Sequence, residues 1–277
     1  ILLVASLATV VVRGFDFSID FLGGQVYTVQ YSEAGAHEED LSKVAASAGL
    51  TNAKVRSYGD QAKNMYQISL KKTDDATVKD RLQKALDDAG QKAQIIASDE
   101  VGPTIGKELR FNAILSIILS WIAICLYIWF RFGKLGLGFG VGALVGLVHD
   151  TIISIGFISL MGLSVDGALI ASVLTLIGYT INDKIVVFDR IRENSQIYGR
   201  SNFPKLVNSS INQCFSRTII TSLTTLFVCL ILAVMGGSSI RDFGLVMVFG
   251  IIIGTYSSIT ISSPFVVWWS KRFRSGV

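Results

Sequence analysis

The chain has 277 residues, of which 51% are apolar and 17% are charged, with a net charge of +4 at pH 7. Soluble domains carry about 25% charged residues, so this composition favours a membrane protein over an ordinary soluble domain. The apolar residues are clustered, and a helix that crosses a bilayer core of about 30 Å needs about 20 of them in succession.

The first apolar segment lies in residues 1–15 and begins ILLVASLATVVV, which is too short to cross a membrane alone. We interpret it as the rear half of a first span, because no small-residue cleavage site follows it as one would follow a signal peptide. Five later segments are long enough to span: 110–130, 135–161, 168–189, 216–236 and 243–269. The predicted fold class is a polytopic α-helical membrane protein with six transmembrane helices, the first truncated, and a transmembrane domain at 109–277.

A polar insert, residues 16–108, separates the first and second spans. It contains 11 Lys/Arg and 15 Asp/Glu, a net charge of −4, whereas the rest of the chain carries +8. Short loops rich in Lys and Arg mark the cytoplasmic side of a membrane. The basic segments, which all fall on one side, are 131–134, 189–205 and 271–277. We therefore expect cytoplasmic N- and C-termini and an exported insert, and we interpret the basic patches as topology signals rather than nucleic-acid sites.

The insert alternates between strand and helix periodicity in a regular order. Strands are predicted at 25–32, 53–60, 64–72 and 93–102, and amphipathic helices at 37–50 and 74–90. The order strand–helix–strand–strand–helix–strand predicts an α+β ferredoxin-like sandwich, with two helices on one face of the sheet. We recognise no catalytic triad, metal cluster or phosphate loop, and His37 is a lone histidine at a helix start. We therefore expect a binding or lever domain without cofactor or metal, and not an enzyme.

Two short motifs flank the insert: SIDFLGG (18–24) precedes the first strand and VGPTIGKEL (101–109) follows the last. Gly and Pro in these motifs are typical of a fixed turn where the chain leaves the membrane. The motifs are interpreted equally well as hinge turns with capping residues or as a contact surface for a substrate. The candidate hinge residues are Asp20, Gly23, Gly24, Gly102 and Pro103.

The segment LIGYTINDKIVVFDRIREN (176–194) carries Asn182, Asp183 and Lys184 inside a predicted span. An ionisable group near the bilayer centre costs at least about 2.5–3.5 kcal/mol, so it normally faces a protein interior or a water-filled path. Asp183 lies roughly 10 Å of helix rise from Arg190 at the cytoplasmic edge. Lys184 points about 100° away from Asp183 on a helix. We expect its long stem to carry the ammonium towards the inner surface.

A partner for Asp183 is expected from the fifth span, SRTIITSLTTL, where Arg217 begins a polar stripe that continues at Thr221. The fourth and fifth spans are antiparallel by chain order, so Asp183 and Arg217 are expected at similar depth. The third span carries Asp150 beside His149 in VHDTIIS. On the same helix, glycines four residues apart allow close approach of another helix: Gly138, Gly142 and Gly146.

Two interpretations of these intramembrane charges are open. One is a buried ion pair that fixes helix packing. The other is a proton or cation relay, since burial disfavours a charged carboxylate and a nearby arginine favours it. We favour the relay, because structural pairs rarely come with further polar residues inside the membrane. The relay residues are Asp183, Arg217, Asp150, Asn182 and Thr221.

The motifs SIDFLGG, VGPTIGKEL, LVHDTIISIG, IGYTINDKIVVFDRIREN and SRTIITSLTT, in this order, resemble those of the SecF subunits of bacterial SecD–SecF protein-export complexes. This resemblance implies six spans, an exported domain after the first, and a pseudo-symmetric SecD partner related to the RND superfamily. It also implies that inward proton flow, or sodium flow in some members, drives late steps of translocation at the SecY channel. Asp183 matches the family's relay aspartate, Arg217 its arginine, and Asp150 a motif acid. Lys184 stands where Thr or Ser is more usual.

The expected function is therefore ion-driven export of unfolded polypeptide across the bacterial cytoplasmic membrane. The expected partners are a SecD-like subunit, a SecY-type channel, the exported polypeptide and membrane lipid. Two other functions stay open: an RND-like half-transporter for small molecules or lipids, which the modest size of the insert disfavours, and a passive translocon scaffold. We further expect Asp183 and Arg217 to face a seam completed by the SecD-like partner, and Arg217→Ala to reduce activity more than Lys184→Thr.

Overall fold

The computed structural model describes residues 1–31, 38–50, 53–57, 64–70, 77–90, 92–199 and 201–273, without the side chains of Pro103, Lys134 and Ser238. The predicted helix-start residue His37 and part of the predicted strand pair 53–72 lie outside the described residues. Structural statements below concern the described part of the chain.

Five helical segments of the described chain are long and apolar enough to cross a membrane, which confirms a multi-pass membrane protein. They are α5 (Pro103–Phe132), α6 (Gly136–Met161), α7 (Gly167–Ile197), α8 (Phe203–Met235) and a continuous unit of α9 (Ser238–Ser257), a π-helical turn (Ser258–Ser262) and α10 (Ser263–Arg272). A shorter apolar helix, α1 (Leu2–Arg13), precedes them.

Several helices are longer than the predicted spans. The second was predicted from residue 110 but α5 begins at Pro103, and the fifth was predicted from 216 but α8 begins at Phe203. Both helices have proline in the first turn, where its missing N–H costs no hydrogen bond. Apolar length locates only the part of a helix that crosses the membrane, and these polar first turns lie beyond it.

The middle of the bundle is formed by α6, α7 and the α9–α10 unit. In the 18-residue apolar stretch of each helix, the buried share is 56% in α6 and 50% in α7. It is 6% in α5 and 22% in α8. Phe139 of α6 stacks on Phe188 of α7, with ring centroids 4.8 Å apart. Phe157 of α6 stacks on Phe249 of α9 at 4.2 Å. Each such pair contributes about 0.5–1.5 kcal/mol beyond its buried area, so these rings fix the central helices against each other.

The short helix α1 packs along α6 near the end that carries the insert. The Arg13 guanidinium donates to the carbonyl oxygen of Leu160 at 2.6 Å, and the Ser159 hydroxyl donates to that of Gly14 at 2.7 Å. A Cβ atom on Gly156 would lie 2.6 Å from the hydroxyl oxygen of Ser6, so the glycine lets the two helices approach closely.

The insert contains a four-stranded sheet with two helices. In chain order its elements are β2 (Gly24–Tyr31), α3 (Glu38–Ser47), β3 (Lys54–Ser57), β4 (Met65–Leu70), α4 (Val78–Asp88) and β5 (Ala93–Val101). The strands lie in the order β3-β4-β2-β5 and every neighbouring pair is antiparallel. Val29 and Ile68 from the sheet are fully buried with Leu41 of α3 and Leu82 of α4, which shows that both helices share one core with the sheet.

The insert is joined to the loop between α6 and α7 at its root. The two-residue strand β1 (Asp16–Phe17) pairs in parallel with β6 (Ser164–Val165) of that loop. The Ser18 amide donates to the carbonyl oxygen of Val165 at 2.9 Å, and Lys54 of β3 forms an ion pair with Asp16. The loop 161–167 therefore lies at the same end of the bundle as the insert.

The two glycine-containing motifs meet in space. The helix α2 (Ile19–Leu22) ends at Gly23, whose φ is 74°, and Gly24 follows with φ 156°. A Cβ atom on Gly106 of α5 would lie 2.9 Å from both the Gly23 nitrogen and the Phe21 carbonyl oxygen. Arg110 of α5 also donates to the Phe21 carbonyl at 2.6 Å. Helix α5 thus holds the first motif through the close backbone approach at Gly106 and the side-chain hydrogen bond from Arg110.

The candidate hinge residues have different structural roles. Gly23 and Gly24 adopt conformations that favour glycine. Gly102 has an ordinary extended conformation, with φ −66° and ψ 145°, and caps α5 with open space around it. Pro103 begins α5, and Asp20 lies in the first turn of α2.

Gly106→Ala is expected to destabilise the root of the insert. The added methyl group would meet rigid backbone atoms at 2.9 Å, and such overpacking costs about 1–3 kcal/mol. Thermal unfolding of the purified chain in detergent measures the effect. Gly102→Ala is the matched control, since nothing lies within 4 Å of its new Cβ. Equal loss of stability in the two variants would contradict the close approach at Gly106.

Candidate functional site

Three charged side chains are buried in the middle of the bundle. Asp150 of α6 is 2% exposed, Asp183 of α7 is 4% exposed and Lys184 of α7 is fully buried. Burying a charge costs several kcal/mol unless partners compensate it. The partners of each group therefore indicate what the cluster can do.

The Lys184 ammonium lies in a cage of oxygen atoms. Its Nζ donates to Asp150 Oδ2 at 2.8 Å, to Ser257 Oγ of α9 at 3.2 Å and to the Thr180 carbonyl at 3.4 Å. An ammonium has three N–H donors, so each donor has one partner. The expectation that Lys184 reaches the inner membrane surface is wrong, because a carboxylate inside the bundle compensates its charge.

The second oxygen of Asp150 is also engaged. His149 Nδ1 lies 3.1 Å from Asp150 Oδ1, and the histidine side chain is 12% exposed. Asp150 therefore contacts both the buried Lys184 ammonium of α7 and the imidazole of His149, its neighbour on α6. Ser154, one turn further along α6, is fully buried, and its hydroxyl has no hydrogen-bond partner among the described residues.

Asp183 belongs to a separate series of polar side chains that are joined by hydrogen bonds. Its Oδ2 accepts a hydrogen bond of 3.4 Å from the Ser222 hydroxyl of α8. The Ser222 hydroxyl lies 2.7 Å from that of Thr255 on α9. Thr255 and Ser257 are two positions apart on α9, so this helix contacts both the hydrogen-bonded series that starts at Asp183 and the Lys184 cage.

Arg217 and Asn182 are exposed on the surface of the chain. No ion pair joins Arg217 directly to Asp183 among the described side chains. The Thr221 hydroxyl is used within α8, where it donates to the carbonyl oxygens of Arg217 and Thr218, each at 3.0 Å. The structure thus brings Asp150 and Asp183 into the interior and leaves Arg217 and Asn182 outside.

The sixth span contributes residues that the sequence analysis missed. Its segment GTYSSITISSP (254–264) supplies Thr255 and Ser257, and its π-helical turn Ser258–Ser262 interrupts the α-helix. Pro264 has no N–H to donate to the carbonyl four residues earlier, which favours such an interruption. Across this turn, Ser263 Oγ donates to the Ser258 carbonyl at 2.8 Å. The run of hydroxyl residues before Pro264, inside a predicted span, was the sequence feature from which these residues could have been predicted.

Gly146→Ala is expected to disrupt the Lys184 cage. A Cβ atom on Gly146 would lie 2.6 Å from Lys184 Cε and would overlap the Ser262 hydroxyl. The lysine stem would have to move, and the free energy of unfolding should fall by about 1–3 kcal/mol. Unfolding measured in detergent tests this result. Gly178→Ala on α7, with nothing within 4 Å of its Cβ, should have little effect. A normal stability of Gly146→Ala would show that the stem does not depend on this space.

Comparisons with known proteins place the chain among protein-export membrane proteins. The family model for the protein export membrane protein SecD/SecF, C-terminal, matches residues 81–272. The model for the SecD/SecF GG motif matches residues 9–34, which include Gly23 and Gly24.

Similar proteins carry the names SecF and SecDF. The protein translocase subunit SecF of Desulfurispirillum indicum is 35% identical, with 99% of this chain and 88% of the relative covered. SecDF of Thermus thermophilus is 42% identical over 98% of this chain, which spans 37% of that relative. A crystal structure of Thermus SecDF, described as a translocon-associated membrane protein, has a TM-score of 0.84 and 39% identity, with 98% of this chain and 37% of that chain covered.

Proposed function

Because the chain belongs to the SecD/SecF family of protein-export membrane proteins, we propose that it is a SecF-type subunit of the protein translocation machinery. In this proposal it couples proton or sodium motive force to late steps of protein export across the bacterial cytoplasmic membrane. It is not an enzyme, and its termini are cytoplasmic. The observation that carries the proposal is a buried aspartate, Asp183, whose charge is only partly compensated.

Asp183 is the group that takes up and releases the proton. The nearest cation in the sequence, Lys184, already has its three donors committed, one of them to Asp150. Among the side chains that the structure describes, Asp183 has only the 3.4 Å hydrogen bond from Ser222. Intramembrane carboxylates in this situation are typical of proton pathways.

A change of charge at Asp183 acts on helix packing through Ser222. An ionised carboxylate accepts the Ser222 hydrogen, whereas a protonated one has a hydrogen of its own to donate. The Ser222–Thr255 contact of 2.7 Å, in which either hydroxyl can donate, then reverses its direction. The contact between α8 and α9 therefore depends on whether Asp183 is protonated. The helix α9 also contacts Lys184 through Ser257.

The exposure of Arg217 supports the presence of a partner subunit at this side of the bundle. A charged side chain facing lipid is costly, so Arg217 is better placed against a polar surface. We assign that surface to a SecD-like subunit that supplies a further acid. Asp183 itself is covered by this chain, so the seam in this proposal holds Arg217 and Asn182 rather than both members of the predicted pair. Membrane lipid covers the remaining apolar faces of α5 and α8.

The exported insert acts as the lever in this proposal. Its strand order β3-β4-β2-β5 and its helices α3 and α4 support the ferredoxin-like assignment. It works on the unfolded polypeptide that leaves a SecY-type channel. The helix α1 contributes to the first span in this proposal, which gives the six-span topology. The root contacts of β1 with β6 and of Lys54 with Asp16 are where movement of the insert begins.

A clamp at the root of the insert should stop export without stopping assembly. The paired positions are Lys54 and Asp16, because their side chains form an ion pair between β3 and β1. In a chain with the native cysteines replaced, Lys54→Cys and Asp16→Cys are joined by a short bis-maleimide and export is measured. Each single cysteine variant with the same reagent is the control. Normal export by the clamped complex would show that the insert does not move here.

The proposed function is tested by reconstituting the chain with its SecD-like partner and the SecY-type channel in vesicles. A pH gradient, a sodium gradient or neither is imposed, and the protease-protected fraction of an exported substrate is measured. Stimulation by a gradient that requires this chain is the expected result. Stimulation by the chain in the absence of any gradient would indicate a passive scaffold. Transport of a small hydrophobic solute instead of polypeptide would indicate an RND-like half-transporter.

A further inference from the structure

The cage around Lys184 has the composition of a binding site for a small hard cation. Its contacts to Nζ are a carboxylate oxygen of Asp150, a hydroxyl oxygen of Ser257 and a carbonyl oxygen of Thr180. Oxygen ligands of these kinds suit hard cations. The lysine ammonium is a compact point charge.

Two more hydroxyl groups lie on the elements that form this cage. Ser262 and Thr180 are buried, and their hydroxyl oxygens have no hydrogen-bond partner among the described residues. The Ser262 hydroxyl and Lys184 Cε both lie in the space over Gly146. Buried hydroxyls are normally satisfied, so these two are unused ligands for a small ion that takes more oxygen contacts than an ammonium.

The location supports the same conclusion. The cage lies beside the π-helical turn Ser258–Ser262, which interrupts the sixth span. Single π-helical turns inside α-helices frequently occur at functional sites. Ser257 precedes this turn and Ser262 ends it.

We propose that Lys184 is a tethered cation that fills a sodium-type pocket formed by Asp150, Thr180, Ser257 and Ser262, and that it thereby restricts the coupling ion to the proton. A covalently held ammonium cannot be exchanged or carried across the membrane, so the pocket is closed to free ions. The restriction on the coupling ion rests on the proposed ion-driven function, but the pocket itself does not. Among the described residues, the other titratable groups near the cage are His149 on α6 and Asp183 on α7, and α9 contributes the hydroxyl groups of Thr255 and Ser257.

Direct binding of sodium tests the pocket without any export assay. Purified full-length wild type, Lys184→Ser and Lys184→Ser/Asp150→Asn are compared by equilibrium binding of radioactive sodium in choline buffer. Saturable binding is expected in Lys184→Ser, no binding in wild type, and at least about tenfold weaker affinity in the double variant. Saturable binding by wild type that Lys184→Ser does not strengthen would overturn the proposal. Absence of binding by a folded Lys184→Ser would also overturn it.

Folding of the variant provides a second measurement. Lys184→Ser leaves Asp150 without its cation, so it is prepared in parallel in sodium and in choline. Recovery of a monodisperse chain in sodium but not in choline supports the pocket. A chain that unfolds equally in both buffers shows that a free sodium ion cannot replace the ammonium, which would overturn the proposal.

The choice of coupling ion is tested in the reconstituted complex. Wild type should respond to a pH gradient in sodium-free vesicles and show no response to a sodium gradient alone. Export driven by a sodium gradient in wild type would overturn the restriction on the ion. If neither gradient stimulates export, the proposed function fails, and the sodium-binding result still decides whether the pocket exists.

Discussion

Asp183→Asn is expected to abolish the gradient-driven part of export while leaving the chain folded and bound to its partner. The amide has the shape of the carboxylate and its oxygen can still accept the hydrogen bond from Ser222, so packing of α7 against α8 should be kept. It cannot take up or release a proton at physiological pH. Vesicles containing the reconstituted complex should therefore lose the stimulation by a pH gradient, by at least about tenfold in initial rate.

Asp189→Asn is the matched control for this prediction. Asp189 lies on the same helix but pairs with Arg192 at 2.8 Å near its polar end, and its side chain is 51% exposed. Its replacement should leave gradient-driven export near the wild-type rate. Co-purification with the partner checks assembly of both variants. A normal response of Asp183→Asn to the gradient would remove Asp183 from the proton path and would favour a structural role for the buried charges.

The spans could be predicted because apolar length is a local property of the sequence. The helix ends could not be predicted in the same way, since polar turns such as those before residue 110 and before residue 216 lie outside the apolar window. Proline in the first turn of α5 and of α8 was the usable signal for both starts. The sequence therefore predicts how many segments enter the membrane better than how far each helix extends.

The role of Lys184 could not be predicted from its own helix. Helix periodicity correctly predicts that Lys184 and Asp183 point in different directions. The position of the Lys184 ammonium, however, depends on the space that other helices leave for its long side chain. That space comes from Gly146 on α6, and the oxygen ligands come from Asp150 and from Ser257 on α9. The same limit applies to Arg217, because antiparallel order predicts its depth but not the face of α8 on which it lies.

The buried pair predicts how two substitutions rank in stability, which is a separate quantity from their effects on activity. Lys184→Thr should lower the free energy of unfolding more than Arg217→Ala, since Lys184 is fully buried against Asp150 and Arg217 is exposed. Removing one partner of a buried pair costs about 3–5 kcal/mol, because the other charge is left uncompensated. A side chain at the surface of the isolated chain should change stability by about 0.5 kcal/mol or less. Equal loss of stability from the two substitutions would contradict this ranking.

A double-mutant cycle separates the pair from the packing around it. Asp150→Asn alone should lower the free energy of unfolding by about 3–5 kcal/mol, because it leaves the Lys184 ammonium buried without a counter-charge. Asp150→Asn/Lys184→Met should recover most of this loss, since an apolar pair of similar volume avoids the desolvation of both charges. Unfolding is measured in sodium-free choline buffer, so that no free cation replaces the ammonium in the Lys184 variants. If the losses simply add, the two groups act independently, and the 2.8 Å contact between them contributes nothing to stability.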